Sequence, residues 1–348
     1  MMTEALAKPT NDQEPSDASA GGVRSTAVGV TGHERLTRSL DFVSRWAVVG
    51  GFVLLVLYFA IRTPDTFLTP DTLRTVLDQA AVPLILVVGL TIVLAVGEFD
   101  LAYTSVVGFS GAVVIVLMSR EGWPVPMAVA AALAGGAIAG LAIGLVVSRT
   151  SASSFIVTLA VGSVLTGVEL SISDNTTIYQ NVPESFRVLT RNEILTVRWP
   201  VWAAALTLVV AWLAMHRTRF GRHVYAVGQN RTASFLAGVP VRRLVVIAFV
   251  VMSVLSVLAA LILTSRSASY YPNASQGLLL NTYAAAFLGA AASRRARFSV
   301  LGSALGVLWI VTLQVGLTLM NESTALVNLI QGAVLAAAVL LAARGKRA

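Results

Sequence analysis

Long apolar stretches recur along the chain, and each is long enough to cross ~30 Å of hydrocarbon. Only 12% of the 348 residues are charged, about half the share in a soluble domain. The alternation typical of an outer-membrane barrel is missing from the sequence. The sequence therefore predicts an all-α integral membrane protein with about ten transmembrane helices, at Arg45–Ile61, Asp78–Val96, Leu101–Met118, Pro124–Val147, Ser153–Ser173, Val201–Met215, Leu244–Thr264, Leu278–Ala292, Val300–Met320 and Ala325–Ala343.

Two details leave open the alternative that some of these stretches form re-entrant or broken helices. The eighth stretch is short, and only a few residues separate the second stretch from the third. Residues 44–343 are predicted to form the transmembrane domain. Residues 1–43 are predicted to be a disordered tail, because Thr10 to Gly22 is rich in polar and small residues without apolar periodicity. No cleavable signal peptide is predicted.

The positive charges predict the orientation. With the N-terminus inside, the inner segments carry 18 of the 25 Lys and Arg, and beyond the tail they carry no Asp or Glu. Positive residues collect on cytoplasmic loops, so both termini, including residues 344–348, are predicted to be cytoplasmic. The net charge of +8 is thus explained by topology, and no nucleic-acid partner is expected. With no Cys and three scattered His, neither a metal site nor a disulfide is expected.

The longest inner loop after the tail, residues 216–243, carries helix signals. Asn230 is a plausible N-cap for a two-turn helix over Arg231–Ala237. Gly238 stands where a helix ends in the left-handed conformation, and Pro240 prevents the helix from resuming. A helix this short is marginal alone in water, so it is expected to dock on a partner or on the membrane surface. An ordinary basic loop beside the membrane is the alternative.

Four segments in this order resemble one family. The inner loop, with Phe220-Gly221-Arg222, Tyr225-Ala226-Val227-Gly228 and Asn230 followed by Ala237-Gly238-Val239, resembles the coupling loop of monosaccharide ABC transporter permeases of the ribose, xylose, arabinose and galactose type. Gly97-Glu98-Phe99-Asp100-Leu101, Phe155-Ile156-Val157-Thr158-Leu159 and Ser299-Val300-Leu301-Gly302 resemble further segments of that family. Three departures are Glu98 for a usual Gly, Ala102 for a usual Ser, and residues 291–298 in place of a Gly-rich turn.

The resemblance implies a permease subunit of a bacterial ABC importer for a monosaccharide or related polyol, in the cell (inner) membrane. It implies three protein partners: a cytoplasmic ATP-binding subunit, an extracytoplasmic sugar-binding protein and a second permease subunit. The chain has no phosphate-binding loop, so ATP hydrolysis is expected on the partner and neither enzymatic activity nor a cofactor is expected here. The residues expected to couple to the ATPase are Gly221, Gly228, Asn230, Ala233, Leu236 and Gly238, with Ala233, Leu236 and Val239 facing the partner.

Polar residues inside apolar stretches are candidates for a substrate pathway. They are Glu98, Asp100, Glu169, Asn281 and Gln314. For Glu98 and Asp100, hydrogen bonds to exposed amides at the start of the third span are favoured over substrate contact. A position at the outer boundary stays open for Glu169, and hydrogen bonds between helices stay open for the amides.

Two alternatives to sugar import remain at this point. An ion-coupled secondary transporter could use Glu98, Asp100 or Glu169 as its ion site. An ABC permease for nucleosides is the other alternative, because related permeases carry them.

Overall fold

A computed structural model describes residues 48–293 and 297–344. The predicted disordered tail, the start of the first predicted span before Val48, Arg294, Arg295 and residues 345–348 lie outside this range. The described chain is mostly helical. Its helices are α1 (Val48–Arg62), α2 (Pro64–Phe67), α3 (Pro70–Ala95), α4 (Tyr103–Ser119), α5 (Val125–Arg149), α6 (Ser154–Ile172), α7 (Glu184–Arg191), α8 (Trp199–Arg217), α9 (Arg219–Gln229), α10 (Arg231–Leu236), α11 (Val241–Ser267), α12 (Leu278–Ala291), α13 (Val300–Leu319) and α14 (Thr324–Arg344).

Six of these helices, α3, α5, α6, α8, α11 and α13, are long and apolar enough to cross a membrane. Shorter apolar stretches are α1, α4, α12 and Ala325–Val334 of α14. The all-α membrane fold is therefore confirmed, while the number of ten spans stays a prediction. Most helix ends lie within three residues of the predicted ones. α3 is the exception, because Pro70 opens it eight residues early behind the N-cap Thr69, whose hydroxyl accepts from the Thr72 N–H at 3.2 Å.

Several elements outside the apolar stretches were not predicted. They are α2, α7, α9 and a two-stranded antiparallel hairpin made of β1 (Glu193–Ile194) and β2 (Val197–Arg198). α7 is amphipathic and buries Phe186 and Thr190. Ser265 on α11 holds α7 in place by donating to the Phe186 carbonyl at 2.7 Å.

The core forms around α11, which packs against α3, α4 and α5. Small residues let the backbones approach closely. On α5, a Cβ at Gly140 would collide with the side chain of Ser253 and the carbonyl of Phe249 on α11. α3 is tied to α13 where the Thr91 hydroxyl donates to the Ser303 hydroxyl at 2.8 Å.

The bundle has two distinct ends. We call the end with α9 and α10 the α10 end and the end with α7 and the hairpin the α7 end. The C-terminus of α3 and the N-termini of α4, α6 and α11 lie at or near the α10 end. The C-terminus of α11 lies at the α7 end, where the backbones of Ile178 and Tyr270 pair.

Candidate coupling site and intramembrane polar residues

The segment between α8 and α11 folds as two helices rather than one. α9 follows α8 after Thr218, and Gly221 packs on the carbonyl of Met215. Gly228, near the end of α9, packs directly on the carbonyl of Ala95 at the end of α3, where a Cβ would collide with it. These two predicted glycines therefore fix α9 against the bundle by close backbone contact.

The side chain of Tyr225 fastens the middle of α9. Its hydroxyl donates to the Phe298 carbonyl at 3.1 Å, and the Arg297 guanidinium lies 4.7 Å from its ring centre. Burial raises the pKa of the Tyr225 hydroxyl, although Arg297 opposes this rise. The hydroxyl therefore stays protonated and able to donate.

α10 is closed at both ends by its own sequence. The Asn230 side chain accepts from the Ala233 N–H at 2.9 Å, which satisfies an otherwise free helix donor. At the other end Gly238 has a φ of 77°. Its N–H donates to the Phe235 carbonyl and that of Val239 donates to the Ser234 carbonyl, each at 3.0 Å, which is the Schellman pattern.

One face of α10 exposes apolar side chains. Leu236 is 80% exposed and Phe235 is 70% exposed, and Ala233 is exposed beside them. Val239 was also expected to face a partner; it is partly buried and packs against the core, and its contact with a partner stays a prediction. Phe235 was not singled out, although a bulky aromatic in a basic loop was a signal for it.

The break between α3 and α4 holds Glu98. α3 ends in a second Schellman pattern, with Gly97 at a φ of 93° and the Glu98 N–H bonded to the Val93 carbonyl at 3.1 Å. The Glu98 carboxylate accepts from Arg231 Nη1 at 2.6 Å, and Arg231 is the first residue of α10. Glu98 therefore does not make the expected hydrogen bonds to backbone amides at the start of α4. Its partner lies 133 residues away, beyond the reach of local sequence reasoning.

Asp100 is fully buried and does make the expected kind of contact. Its Oδ1 accepts from the N–H of Ala102, the N-cap residue of α4, at 2.8 Å. The Tyr283 hydroxyl of α12 donates to the Asp100 carbonyl at 2.7 Å. The Asp100 side chain therefore stabilises the start of α4, where the helix dipole favours a carboxylate.

Glu169 lies on α6 near its C-terminus, toward the α7 end, and is buried. Its Oε1 accepts from the Tyr270 hydroxyl at 2.8 Å. The carboxylate also packs on Gly108 of α4, where a Cβ would collide with it. Burial raises the pKa of Tyr270, so its hydroxyl remains a donor. Tyr270 lies 101 residues from Glu169, so no local sequence signal pointed to this partner.

The two amides lie apart from these carboxylates. Asn281 is half-buried on α12, and Gln314 is exposed on α13. Glu98 and Asp100 share the break between α3 and α4, whereas Glu169 lies toward the α7 end, so the structure does not bring all five candidate pathway residues together in one site. No group of His, Cys, Asp or Glu in the described residues could hold a metal ion.

Helices of membrane-crossing length packed around a central helix define a multi-pass membrane protein, and the loop with α9 and α10 exposes apolar side chains at one end of it. The chain belongs to the family described as the permease component of the branched-chain amino acid transport system, whose sequence profile matches residues 72–339. The predicted membership of an ABC permease family and the predicted multi-pass location in the bacterial cell membrane are confirmed.

Several curated proteins are similar over most of their length. An L-arabinose ABC transporter permease of Azospirillum brasilense is 33% identical over 86% of this chain and 88% of its own. A ribose import permease of Bacillus subtilis is 32% identical over 84% and 90%, and a D-allose transport system permease of Escherichia coli is 26% identical over 87% and 94%. No solved structure matches the chain.

Proposed function

We propose that the chain is the membrane-spanning subunit of an ABC importer that carries a monosaccharide or related polyol into the cell. The observation that carries this proposal is α10, a six-residue helix closed at both ends that exposes Phe235 and Leu236. So short a helix gains little stability of its own in water. Its apolar face suits the groove of a partner protein, in the mode in which a helix docks into a hydrophobic groove.

The charges support a cytoplasmic α10 end. At the α7 end, six arginines pair with Asp or Glu: Arg74, Arg120, Arg187, Arg191, Arg198 and Arg266. At the α10 end, Arg231–Glu98 is the one ion pair among the described residues. Lys and Arg collect on cytoplasmic loops, and the segments assigned to the inner side carry 18 of the 25. We therefore place α9, α10 and both termini in the cytoplasm, with ten helices crossing the membrane.

Three partners follow from this assignment. A cytoplasmic subunit binds and hydrolyses ATP against α10, an extracytoplasmic protein delivers the sugar at the α7 end, and a second permease subunit completes the pathway. This chain supplies the pathway and no ATP chemistry. The names of the relatives favour pentoses and hexoses over nucleosides, because the three proteins above are named for arabinose, ribose and allose.

The decisive experiment places a charge on the exposed face of α10. Ala233→Arg leaves the spans intact but puts an unpaired cation into the apolar groove, at a cost of about 3–5 kcal/mol if the site is buried. We expect the ATPase to be lost on co-purification, together with ATP-driven sugar uptake in proteoliposomes. Ser185→Arg on α7 adds the same charge at the opposite end and should retain the ATPase. If the Ala233→Arg protein retained its ATPase and took up sugar normally, the loop would be an ordinary basic loop and α10 would not be the docking site of the ATPase.

A further inference from the structure

The Glu98–Arg231 ion pair joins two parts of the molecule that sequence separates. Glu98 belongs to the break between α3 and α4, and it is only 7% exposed. Arg231 is the first residue of α10 and its side chain is half-exposed. The 2.6 Å contact therefore connects the loop at the α10 end with the inside of the helix bundle.

Backbone packing makes the carboxylate end of this link stiff. The Schellman pattern at the end of α3 fixes the Glu98 backbone, and Gly97 takes the left-handed conformation that the pattern needs. Gly228 of α9 packs on Ala95 in the same turn. When α10 moves, Glu98 is expected to move with it. The backbone at Glu98 is fixed by the end of α3, and Gly228, three residues before Arg231, is packed against the same turn.

Beyond Glu98, the break is held by two other helices. The Phe99 N–H donates to the Ser154 hydroxyl of α6 at 3.0 Å, and the Leu101 N–H donates to the Thr158 hydroxyl of α6 at 3.0 Å. On the opposite side the Tyr283 hydroxyl of α12 donates to the Asp100 carbonyl. Three consecutive residues after Glu98 are therefore bonded to α6 and α12. A contiguous path of polar contacts runs from α10 to both helices.

We propose that Glu98 and Arg231 are positioning residues for energy coupling, and that their ion pair transmits the movement of α10 to the α3–α4 break and so to α6 and α12. This inference rests on the proposed docking of the ATPase at α10. Loss of the ion pair should leave α10 docked on the ATPase but no longer linked to the break between α3 and α4. ATP hydrolysis would then continue without driving the transmembrane helices.

The test is a double-mutant cycle with Glu98→Gln and Arg231→Gln, reconstituted with the ATPase and the sugar-binding protein. Each single variant should retain the ATPase and basal hydrolysis but lose about tenfold in sugar uptake and in stimulation of hydrolysis by the binding protein. Sugar uptake by the double variant should be no lower than uptake by the more impaired single variant, because both changes remove the same contact. Arg219→Gln removes a positive charge from the same loop without touching Glu98, and it should transport normally.

Two results would overturn the proposal: uptake by the Arg231→Gln protein within about twofold of the unmodified chain, or losses that multiply in the double variant. Arg231 is half-exposed, so its replacement tests the proposal even if the Glu98 variant is unstable. Failure of ATPase docking is separable from failure of this link. If the Ala233→Arg protein loses its ATPase while the Arg231→Gln protein transports normally, only the ion-pair proposal is rejected.

Discussion

At the scale of single residues, the buried carboxylate of Glu169 depends on a phenol for its hydrogen bond. The Tyr270 hydroxyl donates to it at 2.8 Å, and both side chains are almost completely buried. Removal of one partner leaves a buried polar group with one hydrogen bond fewer, which costs about 1–3 kcal/mol. We expect Tyr270→Phe to lower the free energy of unfolding of the purified permease by that amount, measured by thermal unfolding.

Two variants give this prediction its controls. Tyr271→Phe changes the neighbouring tyrosine, whose side chain is about half exposed, and should change stability by less than about 0.5 kcal/mol. Tyr270→Phe should also cost less in a Glu169→Gln background, because a neutral amide tolerates a lost donor better than a carboxylate. Equal costs in the two backgrounds would show that the hydroxyl contributes by packing and not through Glu169.

At the scale of elements, α10 depends on the glycine that ends it. Gly238 has a φ of 77°, and a Cβ there would meet nothing within 4 Å. Gly238→Val therefore introduces backbone strain without a collision, at about 1–2 kcal/mol. The strain acts where α10 ends, so we expect the affinity of the permease for its ATPase to fall about 5–30-fold. Titration of the ATPase onto the permease in lipid nanodiscs measures this affinity.

Gly122 provides a matched control for that variant. It has a φ of 66°, also with open space around it, in the loop between α4 and α5. Gly122→Val should carry a similar strain and leave ATPase affinity unchanged. An equal loss from both variants would mean that strain anywhere in the permease weakens the complex, and it would remove the special role of α10.

Sequence reasoning succeeded for elements whose signals are local. Apolar length predicted the large helices, and Asn230 and Gly238 predicted both ends of α10, because caps act over a few residues. α9 was missed because Arg219–Gln229 mixes polar residues with two glycines and so lacks an apolar stretch. The partners Arg231 for Glu98 and Tyr270 for Glu169 could not be predicted, because each pair forms only when distant segments pack.

At the scale of the whole molecule, charge and helix length together define how the chain crosses the membrane. Thirteen Lys and Arg beyond the tail lie in segments without Asp or Glu, and these segments include α9 and α10. α12 is the helix that most strains a ten-span arrangement, since its 14 residues extend only ~21 Å against ~30 Å of hydrocarbon. The start of α13 lies beside α9, where the Tyr225 hydroxyl donates to the Phe298 carbonyl, and the end of α13 packs near Phe67 of α2, so the turn between α13 and α14 lies at the α7 end.

Single cysteines test this arrangement, because the chain contains none of its own. We expect Cys at Glu121 and at Glu322 to react with a membrane-impermeant maleimide in intact spheroplasts, and Cys at Gln229 to react only after lysis. All three positions are exposed, so a lack of labelling reports sidedness and not burial. Labelling at Glu322 only after lysis would contradict the position of the turn between α13 and α14 at the α7 end. Labelling of Gln229 in intact spheroplasts would instead invert the whole molecule and place α10 where no cytoplasmic ATPase could reach it.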